Sequence, residues 1–363
     1  MSECDVERDR GWRTGASTAE AALDALLDRV GSTYSVVDQR FPLYADGASG
    51  VWVTTARGSW TGGFWAGLLW LRALRTGSRR DRSAARTVTA QLEHWVTADA
   101  AARGLILWYG TALAAGPGRD SAAASLRAEA ARSCLNAFDQ DLGILPWGSA
   151  FGGSRWLARI DGVPGTVPLL ATANTRAGTE AARAHLDTHV ARWRAEPVGT
   201  PAWAWAAGEW TACAQPRPGW SRGRAWLLLA LADAACYIDP DYGAVAERLV
   251  DYGATPVPSA EAIQDAPPDT SAAAIEAVAL LKLAATAASR HRERLRARAV
   301  EIVRHLVTAH VSGPDGPRPS GMLLDGCYDL ERGLATSHEL IWGDYFLALA
   351  LAICSGMVAP FDT

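Results

Sequence analysis

Residues 60–71 read Trp60-Thr61-Gly62-Gly63-Phe64-Trp65-Ala66-Gly67-Leu68-Leu69-Trp70-Leu71. In a helix over 60–76, Phe64, Trp65, Leu68, Leu69 and Leu71 cover a face too wide for a helix with one side in water. Helical periodicity continues on both sides. Residues 17–31 place Ala22, Leu23, Leu26 and Leu27 on one stripe. Further helices are expected near 80–97, 104–114, 119–138, 164–176, 178–194, 221–237, 241–252, 269–287, 290–311 and 338–354.

Helix-start signals agree with these spans. Asp269-Thr270-Ser271 follows Pro267-Pro268, and Thr336 and Glu339 have capping-box spacing. Pro164 suits a first helical turn after Ile160-Asp161-Gly162. Twelve helices with few convincing strands make six antiparallel pairs of an all-α fold. The links 39–59, 139–163, 195–220, 253–268 and 313–337 are long and rich in Gly, Pro and Trp. Such loops suit a site at the mouth of a barrel. No repeat supports a solenoid. One domain over 1–363 is expected, with residues 1–15 a flexible N-terminal segment.

Composition narrows the function. Hydrophobic residues make up 49% of the chain, enough for a large core. The net charge of −4, without a basic block, argues against a nucleic-acid partner. The six cysteines are scattered without CxxC spacing, so no metal site or disulfide framework is expected. No apolar run reaches the ~18 residues of a membrane span, and the N-terminus has no secretory pattern. A cytoplasmic protein without cofactor is expected. Lys282 is the only lysine, so a bound anion would meet arginine forks.

Eight of sixteen tryptophans lie in or beside the long links: Trp52, Trp60, Trp147, Trp156, Trp203, Trp205, Trp210 and Trp220. Indoles of this kind either pack beneath loops or line a sugar site, where they cover pyranose C–H edges. Arg222 and Trp226 share a helix face. They form either a receptor for a carboxylated ring or a surface arginine lying over an aromatic. Asp161 precedes a helix, as an N-cap or as an acid. The helix dipole and Arg155 and Arg159 favour its ionised form, so acid work requires desolvation. His338 and Trp342 open the last helix, where His338 either binds substrate or is an ordinary first-turn residue. His185 and His189 have i, i+4 spacing but no HExxH pattern, and read as part of a surface helix.

Five segments resemble, in order, the boxes of the unsaturated glucuronyl and unsaturated rhamnogalacturonyl hydrolases. They are Ser59–Leu68, Ile160-Asp161-Gly162 with Leu169-Leu170, and Trp220-Ser221-Arg222-Gly223-Arg224-Ala225-Trp226. Then come Asp269–Ile275, and Gly326-Cys327-Tyr328 with Ile341–Phe346. The resemblance implies an (α/α)6 barrel with a cleft at one end. It implies that Asp161 protonates C4 of a C4=C5 double bond and activates the water that adds at C5. It further implies that Arg222 holds the uronate carboxylate and that Trp226, Trp60 and Trp147 line the subsite. The expected ligand is a small sugar-like or anionic molecule.

Three departures stand out. The family's second acid falls at Ala102, with Asp99 three residues away. The region Gly199–Trp203 lacks the family's His, and Arg224 replaces a Gln. The added arginine and tryptophan suggest a reshaped pocket, such as one for a secondary-metabolite sugar. A sugar-acid-binding pseudoenzyme and a toroid catalysing other proton-transfer or cyclisation chemistry are the competing readings.

Overall fold

A computed structural model describes residues 3–195 and 198–363, with side chains from residue 18 onward. Among the described residues, twelve α-helices alternate between two rings. The inner ring is α2 (Gly62–Thr76), α4 (Tyr109–Ala115), α6 (Thr166–Ala171), α8 (Ser221–Tyr237), α10 (Thr270–Thr286) and α12 (Ile341–Cys354). The outer ring is α1 (Glu3–Val36), α3 (Arg79–Ala90), α5 (Ser121–Asn136), α7 (Arg176–Ala195), α9 (Asp241–Glu247) and α11 (Ser289–Ala309). Each outer helix packs on an inner one, and α12 closes the ring against α2. This is the all-α toroid of six hairpins. The expected flexible segment, residues 1–15, overlaps the start of α1 and residues 1 and 2, which lie outside the described residues.

Burial explains which helices form the inner ring. Nearly every residue of α8, α10 and α12 is buried, as expected of helices that are apolar all round. The breadth of the 60–76 face has the same cause, since α2 meets α3, α4 and α12. Gly63 permits backbone contact there, because a Cβ on it would lie 2.3 Å from the Ile106 carbonyl oxygen. Lys282 of α10 donates to Asp233 of α8 at 2.6 Å, with both side chains fully buried.

The loops hold more strand than the sequence suggests. β1 (Phe41–Ala45) pairs with β2 (Trp52–Thr55) and β6 (Glu339–Leu340). β3 (Leu157–Arg159), β4 (Ala202–Ala206) and β5 (Glu209–Ala212) form a second sheet. The strands are short, and while β1–β2 and β4–β5 are local pairs, β6 and β3 join partners remote in sequence.

The capping box expected at Thr336 and Glu339 does not form. Glu339 belongs to β6 and accepts two bonds from Arg29, at 3.1 and 2.7 Å. Asp344 of α12 is buried beside this pair. Burial, then the neighbouring Glu339 charge, pushes its carboxyl well up. A raised native pKa favours folding below the ordinary carboxylate range, and that stability is lost as pH rises through the native value. Asp344→Asn is therefore expected to stay within about 1 kcal/mol of the parent at acidic pH. It should lose less stability than the parent as pH rises, which urea denaturation across pH would show.

Candidate active site

The N-terminal ends of the inner helices meet at one mouth of the toroid. Their loops enclose a cleft of about 240 Å³, near the lower end of small-molecule sites, ~300 Å³. Trp60, Trp147, Trp220 and Trp226 line it with Asp161, Arg159 and Arg222. Two larger surface hollows, about 550 and 450 Å³, lie elsewhere. The first is walled mainly by aliphatic residues of α10 and the segment after α12, and the second by the 136–146 turn. Neither gathers indoles and charged groups as the cleft does.

Asp161 is not a helix N-cap. It lies in a 3-10 turn, Ile160–Gly162, directly after β3. Gly165, at φ +73°, leads into α6, which begins only at Thr166. Both Asp161 oxygens accept from Arg159, from Nε at 3.0 Å and Nη2 at 2.8 Å. The Arg159 guanidinium in turn lies 4.4 Å from the Trp147 ring centroid. Burial alone would lower the Arg159 pKa, but the Asp161 charge and hydrogen bonds outweigh it and raise it.

The two α7 histidines are buried, contrary to the surface-helix expectation. They continue the stripe of Ala181, Leu186 and Trp193, and they brace the loop that carries Asp161. His185 Nδ1 accepts from Leu145 N at 3.1 Å, which leaves Nε2–H to face the Gly162 carbonyl at 3.3 Å. Burial, and then His189, holds the His185 pKa well down, and burial takes His189 to about 4. Both rings are therefore neutral braces.

Arg222 lines the cleft, but its terminal nitrogens are committed. Nη1 donates to Asp269 Oδ2 and the Cys327 carbonyl, each at 2.6 Å, and Nη2 to the Tyr328 carbonyl at 2.7 Å. The side chain is only 4% exposed. Trp342 is fully buried behind the wall, 4.8 Å from Trp60 and 5.1 Å from Tyr328 between ring centroids. His338 stands edge-on to Tyr44 and does not line the cleft. Neither His338 nor Trp342 is placed to touch a ligand in this conformation.

No protein-family model matches the chain. A curated unsaturated glucuronyl hydrolase from Bacillus sp. (strain GL1) is 27% identical over 349 residues, covering 86% of this chain and 90% of that protein. The chain is similar to this unsaturated glucuronyl hydrolase over most of its length. Solved structures of such hydrolases share the fold. The Bacillus sp. GL1 enzyme has TM-score 0.82 at 22% identity, covering 93% of this chain and 96% of that one. The Streptococcus agalactiae enzyme has TM-score 0.84 at 16% identity, covering 95% and 94%. A variant of the S. agalactiae enzyme complexed with dGlcA-GalNAc6S has TM-score 0.74 at 15% identity, covering 92% and 90%. These relatives are hydrolases, and this chain is an enzyme.

Its departures from the glucuronyl hydrolase pattern can now be located. Ala102 is on the cleft wall, so the position of the family's second acid faces the site. Asp99 does not replace that acid. Its carboxylate accepts from the Ser149 amide and hydroxyl, both at 2.8 Å, and it lines the 450 Å³ hollow instead. Arg224 does not reshape the pocket. It reaches Glu276 at 2.5 Å and the Leu249 carbonyl at 3.1 Å, away from the cleft. Of the loop tryptophans, Trp205 and Trp210 pack on each other, 5.3 Å apart, and Trp52 donates to Thr33. Trp203 is buried in β4 and Trp156 is 45% exposed.

Sequence reading missed Phe151, Gln215, Glu261, Asp329, Glu331 and Arg332, which also line the cleft. All come from irregular segments, where periodicity carries no signal. Arg159 was visible beside Asp161 only as a neighbouring charge.

Proposed function

We propose that this enzyme hydrates the C4=C5 double bond of a terminal unsaturated uronide, with Asp161 as an acid–base group at the reacting bond. The observation that carries the reading is the presence of Asp161 in a cleft walled by Trp60, Trp147, Trp220 and Trp226, at the mouth of a family toroid. Indole faces suit a pyranose ring. The N-termini of α2, α8, α10 and α12 gather on this side, so their partial positive charge favours an anionic ligand. The relative bound to dGlcA-GalNAc6S supports an uronide substrate class.

The substrate carboxylate meets a different arginine from the one suggested by sequence. Arg222 would have to abandon Asp269 and two carbonyls. Arg159 and Arg332 line the cleft, and Arg332 is 79% exposed with only a 3.5 Å link to Asp329. Arg159 can exchange Asp161 for a substrate carboxylate without losing its ion pair, which would release Asp161 for chemistry.

The test is incubation with an unsaturated uronide disaccharide while following the ultraviolet absorbance of the double bond. Loss of absorbance is expected for the parent and not for Asp161→Asn. No loss with either protein would sink the reading. Calorimetric binding without conversion would then favour a sugar-acid-binding role for the same cleft.

A further inference from the structure

One cleft-lining carboxyl differs from the others. Glu261 sits in the loop between α9 and α10 and is 8% exposed, yet it faces the cleft. Its backbone is held on both sides. The Ala260 carbonyl accepts from the Ser221 amide at 3.0 Å and the Ser221 hydroxyl at 3.1 Å. The Ala260 amide donates to the Pro267 carbonyl at 2.8 Å. On the other side Ala262 packs against Gly219, whose missing side chain would lie 2.6 Å from the Ala262 Cβ. Glu261 is thus fixed to the N-terminus of α8, beside Trp220 and Arg222.

The charged groups facing it are Arg217, Asp329 and Glu331. Arg217 Nε stands 3.6 Å from Oε2, beyond hydrogen-bond distance. Burial pushes the Glu261 carboxyl up; Arg217 opposes this, while Glu331 and Asp329 add to it. Asp161 is in the opposite situation, with both oxygens taken by an arginine fork. Two carboxyls of one cleft therefore differ in their surroundings: Asp161 is gripped by an arginine fork, whereas Glu261 is buried without one.

We propose that Glu261 is the proton donor of this cleft and supplies the second carboxyl that Ala102 lacks, leaving Asp161 as the base. The assignment rests on the uronide-hydrating reading above. The Glu261 O–H proton passes to C4, and the C4=C5 π pair forms the new C4–H bond. Water oxygen bonds to the resulting cation at C5 while Asp161 takes one water proton. The sum is one water added across the double bond, giving a hemiketal that opens to release the aglycone. Glu261 ends ionised and Asp161 protonated, and one proton returns between them through solvent.

The experiment compares kcat and KM across pH for the parent, Glu261→Gln and Glu261→Asp on an unsaturated uronide disaccharide. Glu261→Gln is expected to lower kcat at least about 100-fold. KM should stay within about threefold, since a group that acts only in the transition state does not set ground-state binding. A donor works only while protonated, so the parent kcat falls as pH rises through its pKa. Burial places that fall above the usual glutamate range. Glu261→Gln should lose this limb, and Glu261→Asp should restore part of both rate and limb. Unchanged thermal melting separates the effect from misfolding. An active parent whose Glu261→Gln variant keeps both kcat and the alkaline limb overturns this assignment alone. A parent that consumes no uronide overturns the hydrolase reading and this assignment together.

Discussion

Replacing Asp161 by Asn is expected to lower kcat on an unsaturated uronide by about 10³–10⁴-fold, near the top of the range for one acid–base group. The substitution keeps shape and removes charge. Arg159 then loses its bidentate partner but keeps its place over Trp147. The His185 and His189 braces act through the backbone of the loop and are untouched. Melting should therefore change little while turnover collapses. KM should fall or hold, because Arg159 no longer has an internal carboxylate competing with the substrate's own. A rise in KM with kcat preserved would show that Asp161 binds substrate and does no chemistry. Single-turnover kinetics would separate these outcomes.

Arg222→Ala is expected to act mainly on the fold. Its removal leaves Asp269, a fully buried carboxylate, without its cation, and strands the Cys327 and Tyr328 carbonyls. Breaking a buried pair in this way costs about 3–5 kcal/mol. The Tyr328 wall of the cleft should loosen, so activity falls with stability. Arg222→Lys keeps charge, but one ammonium cannot span all three partners, and an intermediate loss is expected. Calorimetric melting of the two variants gives the answer. If Arg222 instead gripped the substrate, Arg222→Ala would melt like the parent and raise KM alone.

Much of the toroid was readable because inner helices such as α2 and α10 are largely buried and apolar, and α10 starts at a strong cap. Asp269 caps α10 as expected, accepting from the Ser271 amide at 3.1 Å. What escaped notice depends on distant partners. Arg222 and Trp226 do share a cleft face, but Asp269 lies 47 residues further along, so no spacing rule reveals that the fork is taken. Glu339 looked like a capping residue because its partner, Arg29, is 310 residues away. The His185 and His189 error was avoidable, since both continue an apolar stripe ending at Trp193. Glu261 had no local signal at all. Its burial comes from two loops and the start of α8 packing together, and irregular segments carry no period to reveal this.

Ring closure also dictates when the enzyme comes into being. Trp60 and Tyr328 touch across 268 residues of chain, and Trp342 stands behind both. Contacts of such sequence separation form late, because the intervening chain must first be ordered. On a ribosome, a chain halted before α12 would be an open arc with the apolar flank of α2 bare and no cleft. Activity should appear abruptly with the docking of the last helix, not grow in step with length.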